Sequence, residues 1–175
     1  MRTLILHGWG GSDAPHWQSY LACKLAQDYG TVSFVPLKDK DMPKKDIWMK
    51  QIEDEFLRFK ADVVVCHSLG NTLWFHLCLE KKAQRVKKLI LVAPPSLTCK
   101  VSELKSFFPL KLPYDIYADE VVLITSTNDI YLTQSEADKM AKSLGAKHIV
   151  LKDAGHINTD SGYGQWREIV DIVKN

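Results

Sequence analysis

Three polar residues lie far apart along the chain in an order that suits covalent acyl transfer. They are Ser68 in CHSLGN, Asp129 in LITSTNDIYLT and His156 in LKDAGHINTDSGYGQW. A serine hydroxyl is a weak nucleophile at neutral pH and needs a base within hydrogen-bond reach. The base in turn needs an acid to fix its tautomer and stabilise the imidazolium. Ser68 stands between the apolar run DVVVC and an unusually apolar segment beginning LGNTLW. The polar stretch therefore reads as a sharp strand-to-helix turn that lifts its hydroxyl above a sheet edge, at a helix N-terminus whose dipole favours developing negative charge. The pattern is G-x-S-x-G, with Gly70 at the second glycine and Cys66 in place of the first. Taken alone, Ser68 also fits a helix N-cap. Asp129 equally fits a turn aspartate ahead of Thr133, and His156 a loop histidine without a role. Their joint order, each just past an apolar run, points to a catalytic triad.

Acyl transfer also requires donors for a tetrahedral oxyanion, normally backbone N–H groups. The Leu69 N–H, immediately after the nucleophile, is one candidate. The other is the Trp9 N–H in HGWGGS (7–12), whose glycines allow a tight turn. A phosphate cradle is the competing reading of that loop, but no Lys–Ser/Thr pair follows and the G-x-G-x-x-G spacing is absent. His7 is expected to brace the loop. An apolar acyl pocket is expected from Phe107, Phe108, Tyr114 and Tyr131 together with Trp9, although such aromatics equally serve as core. No histidine pair has ligand spacing, so neither a metal nor a cofactor is expected.

These residues need a frame, and the hydrophobic pattern describes one. Apolar, β-branched runs recur at 3–7, 32–36, 62–66, 88–93, 120–126 and 148–151. They are continuous rather than alternating, as in parallel strands covered on both faces. Between them lie helical stripes: Trp17, Leu21 and Leu25, then Trp48, Ile52, Phe56 and Phe59, and finally Trp166, Ile169, Val170 and Val173. TQSE (133–136) is a capping box, and Gly145 stands where a left-handed helix end belongs. Strand and helix in alternation predict an α/β fold: a three-layer, doubly wound sheet of about six parallel strands, in a single domain over 1–175. One segment breaks the rhythm. Residues 94–117 hold four of the seven prolines and are expected to overhang the ligand site as a cap or pocket wall.

Composition narrows the partners. With 46% hydrophobic and 25% charged residues, the chain has the make-up of an ordinary globular protein. A formal charge of +2 is too small to imply nucleic acid or an anionic membrane. The basic run KKAQRVKK (81–88) reads as a solvated helix end. The start MRTLILHGWGG shows no charged-then-apolar leader, and no apolar run approaches the roughly 20 residues that cross a bilayer. Cys23, Cys66, Cys78 and Cys99 show no CxxC pair, and a reducing cytoplasm fits them best.

With these motifs in hand, the sequence resembles the α/β-hydrolases. More narrowly, it resembles the small serine hydrolases related to retinoblastoma-binding protein nine and the bacterial YdeN-type proteins. The resemblance rests on LHGWGGS…HWQSYL, VVVCHSLGN, STNDIY and GHINTDSGYGQW. It implies Ser68 as nucleophile, Asp129 as acid and His156 as base, on a compact sheet that opens with the oxyanion-loop strand. It implies little about substrate; the residues themselves point to a small-molecule acyl substrate: an ester, or an amide or thioester. The alternative is a hydrolase scaffold with little turnover that serves as a protein-binding module, since fold does not dictate function.

Overall fold

A computed structural model describes residues 1–175. The six apolar runs form the six strands, with boundaries within two residues of expectation: β1 (Arg2–Leu6), β2 (Thr31–Phe34), β3 (Val63–His67), β4 (Val86–Val92), β5 (Ala118–Ser126) and β6 (Lys147–Leu151). They pair in the order β2-β1-β3-β4-β5-β6, and each pairing is parallel. Because side chains alternate along a strand, each run feeds two separate cores. Ile5, Val65, Ile90 and Ile124 face Trp17 and Leu21 of α1 (Trp17–Gln27) and Ile169 of α5 (Arg167–Lys174). Leu4, Val64, Leu89 and Leu123 face the other way. They meet Trp48 of α2 (Lys45–Phe56), Leu73 of α3 (Leu69–Leu79) and Met140 of α4 (Gln134–Leu144). The result is the expected three-layer α/β fold.

Local chemistry sets the helix ends. Thr133 Oγ1 accepts from the Glu136 N–H while Glu136 Oε2 accepts from the Thr133 N–H, the reciprocal pair read from TQSE. Gly145 ends α4 at φ +59°. The α2 stripe is shorter than expected: the helix stops at Phe56, and Phe59 packs on the core from beyond its end.

After β1 the chain steps outward to β2, then crosses back to place β3 on the opposite side of β1. This reversal opens a crevice above the carboxyl ends of β1 and β3, where open α/β sheets bind ligands. The loops holding Trp9 and Ser68 flank it. The 94–117 segment leaves β4 beside the same edge and is largely irregular, with one short 3₁₀ turn at Ser102–Leu104. It is tied down by the Ser96 N–H to Tyr131 O (2.8 Å), the Leu110 N–H to Leu97 O (2.9 Å) and the Trp74 indole N–H to Ile116 O (3.0 Å). No helix is long and apolar enough to cross a membrane.

Candidate active site

The turn between β3 and α3 is sharp enough to strain its central residue. Ser68 adopts φ +50° and ψ −122°, outside the regions favoured by a residue with a side chain. Neighbouring backbone over-determines this conformation. The Ser68 N–H donates to Val92 O at 3.0 Å, and Asn71 Nδ2 donates to both Ser68 O and Val92 O at 2.8 Å. Gly70 is required because a Cβ there would stand 2.5 Å from Leu6 O. At the other glycine position, Cys66 turns its fully buried side chain into the core beneath α2 and α3, where burial pushes its thiol pKa up. The elbow therefore forms without glycine at that position.

Ser68 makes no side-chain cap on α3. Instead its Oγ–H points at His156 Nε2, 2.8 Å away. The other face of the imidazole meets Asp129, with Nδ1 2.9 and 3.0 Å from the two carboxylate oxygens. A carboxylate only accepts, so Nδ1 carries the proton and Nε2 is left as the acceptor for the hydroxyl. The side chains of His156 and Asp129 are 11% and 2% exposed. Asp129 also accepts from the Tyr131 N–H at 2.9 Å, so its turn role and its place beside the imidazole coexist. The Tyr131 ring stands edge-on to His156 with centroids 4.6 Å apart.

The loop carrying His156 is held at several points. Asn128 Oδ1 accepts from the Gly155 N–H (2.7 Å), Ser126 Oγ from the Ala154 N–H (2.9 Å) and Ser161 Oγ from the His156 N–H (3.2 Å). His67, absent from the sequence-derived candidates, donates from Nε2 to His156 O at 3.1 Å. Residues 67 and 68 thus grip residue 156 at its carbonyl and its ring. The His67 ring lies between His156 (5.3 Å) and His16 (4.9 Å). His16 caps α1, accepting from the Gln18 N–H through Nδ1. Burial lowers the pKa of both, His16 to about 4 and His67 well below its ordinary value. Both therefore stay neutral beside the base.

The Leu69 and Trp9 N–H groups have no backbone acceptor and are available to a ligand. Their loop is fastened from behind. The Trp9 indole N–H donates to Asp41 O (2.9 Å), the Gly10 N–H to Lys40 O (2.9 Å), and Lys40 pairs with Asp13. His7 is buried, donating from Nδ1 to Gly8 O (2.7 Å) and accepting at Nε2 from the Leu37 N–H (3.0 Å). It supports the loop, and neither ring nitrogen bonds to Ser68.

A cavity of about 120 Å³ opens over Ser68, lined by Trp9, Leu69, Tyr131 and His156 together with Pro95, Cys99, Leu104 and Asn158. The expected aromatic pocket needs correction. Phe107 is fully buried, packed edge-on against Trp48 at 5.5 Å, and its carbonyl accepts from His76 Nε2. Phe108 packs against the same core, and Tyr114 is fully exposed. None of the three lines the cavity, because the 94–117 segment folds its Phe107 inward as an anchor and turns Tyr114 out to water. From the 94–117 segment it is Pro95, Cys99 and Leu104 that line the cavity. Asn158 had a weak sequence signal, its position two residues after His156.

A six-stranded parallel sheet with a strained serine at the β3–α3 turn defines an α/β-hydrolase. The chain belongs to the serine hydrolase family, whose sequence model matches residues 3–175. Among solved structures it is similar to the ydeN gene product from B. subtilis, with a TM-score of 0.85 at 18% identity, over 99% of this chain and 96% of that one. It is also similar to Est1E from Butyrivibrio proteoclasticus with ferulic acid bound (TM-score 0.68, 13% identity, 99% and 89% covered). A third is the esterase domain of a Rhodothermus marinus protein (TM-score 0.65, 11% identity, 94% and 81% covered). No curated protein matches the sequence.

Proposed function

We propose that this serine hydrolase cleaves a small carboxylic ester through an acyl-enzyme, with Ser68, His156 and Asp129 as its triad. Ser68 Oγ attacks the substrate carbonyl as its proton passes to His156 Nε2, and the Asp129 carboxylate stabilises the imidazolium so formed. The Leu69 and Trp9 N–H groups receive the oxyanion, where fixed donors need no reorganisation as charge develops. Collapse of the tetrahedral adduct sends the proton from His156 to the departing alcohol. Water then enters, loses a proton to the same nitrogen and attacks the acyl carbon; the bond to Ser68 Oγ breaks, Oγ recovers the proton from Nε2, and the acid leaves. The observation that carries this reading is the continuous hydrogen-bonded line from Ser68 Oγ through His156 to Asp129. A protein-binding scaffold would have no use for a serine held in strain opposite a correctly protonated imidazole.

The binding of ferulic acid by Est1E supports acyl chemistry on this fold. We read 1–175 as one catalytic domain, with 94–117 as the wall of its pocket. The four unpaired cysteines suit a reducing compartment such as the cytoplasm. The test is hydrolysis of p-nitrophenyl acetate by Ser68→Ala. Turnover is expected to fall by about 10³-fold or more with the melting temperature unchanged, and retained turnover would refute the mechanism.

A further inference from the structure

The cavity over Ser68 has two unlike sides, and the proposed mechanism assigns each a half of the substrate. With the carbonyl oxygen between the Leu69 and Trp9 N–H groups, the leaving group must lie where His156 Nε2 can protonate it. That side is polar. Tyr131 stands on the imidazole, and Asn158 follows it by two residues. Asn158 Oδ1 accepts from both the N–H and the Oγ–H of Ser161, which leaves its Nδ2 without a protein partner. The acyl group must then lie against the remaining wall of Pro95, Cys99 and Leu104.

That wall is close and firm. Leu104 is 5% exposed and belongs to the main core with Phe107 and Leu110. Phe107 is in turn held by His76 and Trp48, so Leu104 cannot retreat without disturbing the core. The cavity measures about 120 Å³, less than the roughly 150 Å³ of a closed apolar cavity that binds benzene. We infer that this site is specific for short acyl chains, of about four carbons or fewer, and that Leu104 and Cys99 set the limit. The inference rests on the reading of Ser68 as nucleophile and goes on to name its substrate class.

The test is a series of p-nitrophenyl esters, from acetate through butyrate to octanoate, with methyl ferulate alongside. The expected kcat/KM is highest at butyrate or below and lower for octanoate by about tenfold or more, since an overlong chain meets packed core. Methyl ferulate should not be turned over. In Leu104→Ala, the octanoate-to-butyrate ratio should rise about tenfold. In Cys99→Phe, which fills the pocket from the surface side, the acetate-to-butyrate ratio should rise by a similar factor. The second variant decides the matter if the first does not fold. Equal rates on octanoate and butyrate, turnover of methyl ferulate, or unmoved ratios in a folded variant would each overturn the short-acyl limit while leaving the triad intact. Ester hydrolysis that survives Ser68→Ala would overturn both.

Discussion

The strain at Ser68 and the proton arrangement at His156 are only as good as the contacts that hold them, and His67 provides the least obvious of these. Its ring N–H on the His156 carbonyl fixes the backbone of residue 156 from the residue next to Ser68. Misplacement of a reacting group by about 1 Å can cost on the order of 10²-fold. His67→Phe, which keeps a buried ring but removes the donor, should lower kcat about 10–100-fold with little change in KM. His67→Gln, which retains a donor, should recover most of that loss. A KM effect larger than the kcat effect, or no rescue by glutamine, would show that His67 only fills space. Ser68, Asp129 and His156 stand out in the sequence because each follows an apolar run and their chain order is distinctive, and the structure joins them by hydrogen bonds. His67 does not stand out. A histidine closing an apolar strand looks like any buried, satisfied imidazole until its partner, 89 residues away, is known.

The elements position these side chains through two close backbone approaches. Gly70 lets the first turn of α3 rest on the end of β1, and Gly8 lets the loop carrying Trp9 pass Ser68, where an added Cβ would stand 2.7 Å from the serine Cβ. Gly70→Ala should push α3 off β1, costing about 1–3 kcal/mol of stability and displacing the Leu69 N–H. Lower activity together with a lower urea midpoint is the expected result, and a variant with wild-type stability and rate would contradict the packing described here. The strands were legible because continuous β-branched runs leave few alternatives, and α4 because both of its ends carry explicit capping chemistry. The 94–117 segment was legible as a break in the strand–helix pattern, but not in which of its residues line the cavity. An irregular segment has no period, so nothing in the sequence distinguishes the buried Phe107 from the exposed Tyr114 or marks Leu104 as the wall.

Over the molecule as a whole, three buried histidines link folding to protons. Burial lowers the pKa of His7, His16 and His67, His16 to about 4 against an ordinary 6.5. In the unfolded chain all three take up protons as the pH falls through 6.5, while in the folded protein burial delays that uptake to lower pH. The unfolded state then binds more protons, so stability falls with pH from about 6.5 downward, by up to about 1.4 kcal/mol per unit for each histidine. For His16 the loss continues to a pH of about 4. The urea midpoint should therefore drop between pH 7 and pH 5. His16→Asn, which keeps a cap on α1 without a titrating group, should show a shallower drop. A midpoint independent of pH over this interval would contradict the burial of these groups.

The proposed chemistry depends on one hydroxyl being activated by one imidazole. The most direct measurement is the site of covalent modification by a fluorophosphonate, read by intact mass and peptide mapping on the folded protein. One adduct per molecule is expected, on Ser68, and its formation should slow by about 10³-fold or more in His156→Ala. An adduct on any other residue, or a folded protein that takes up none, would contradict the account.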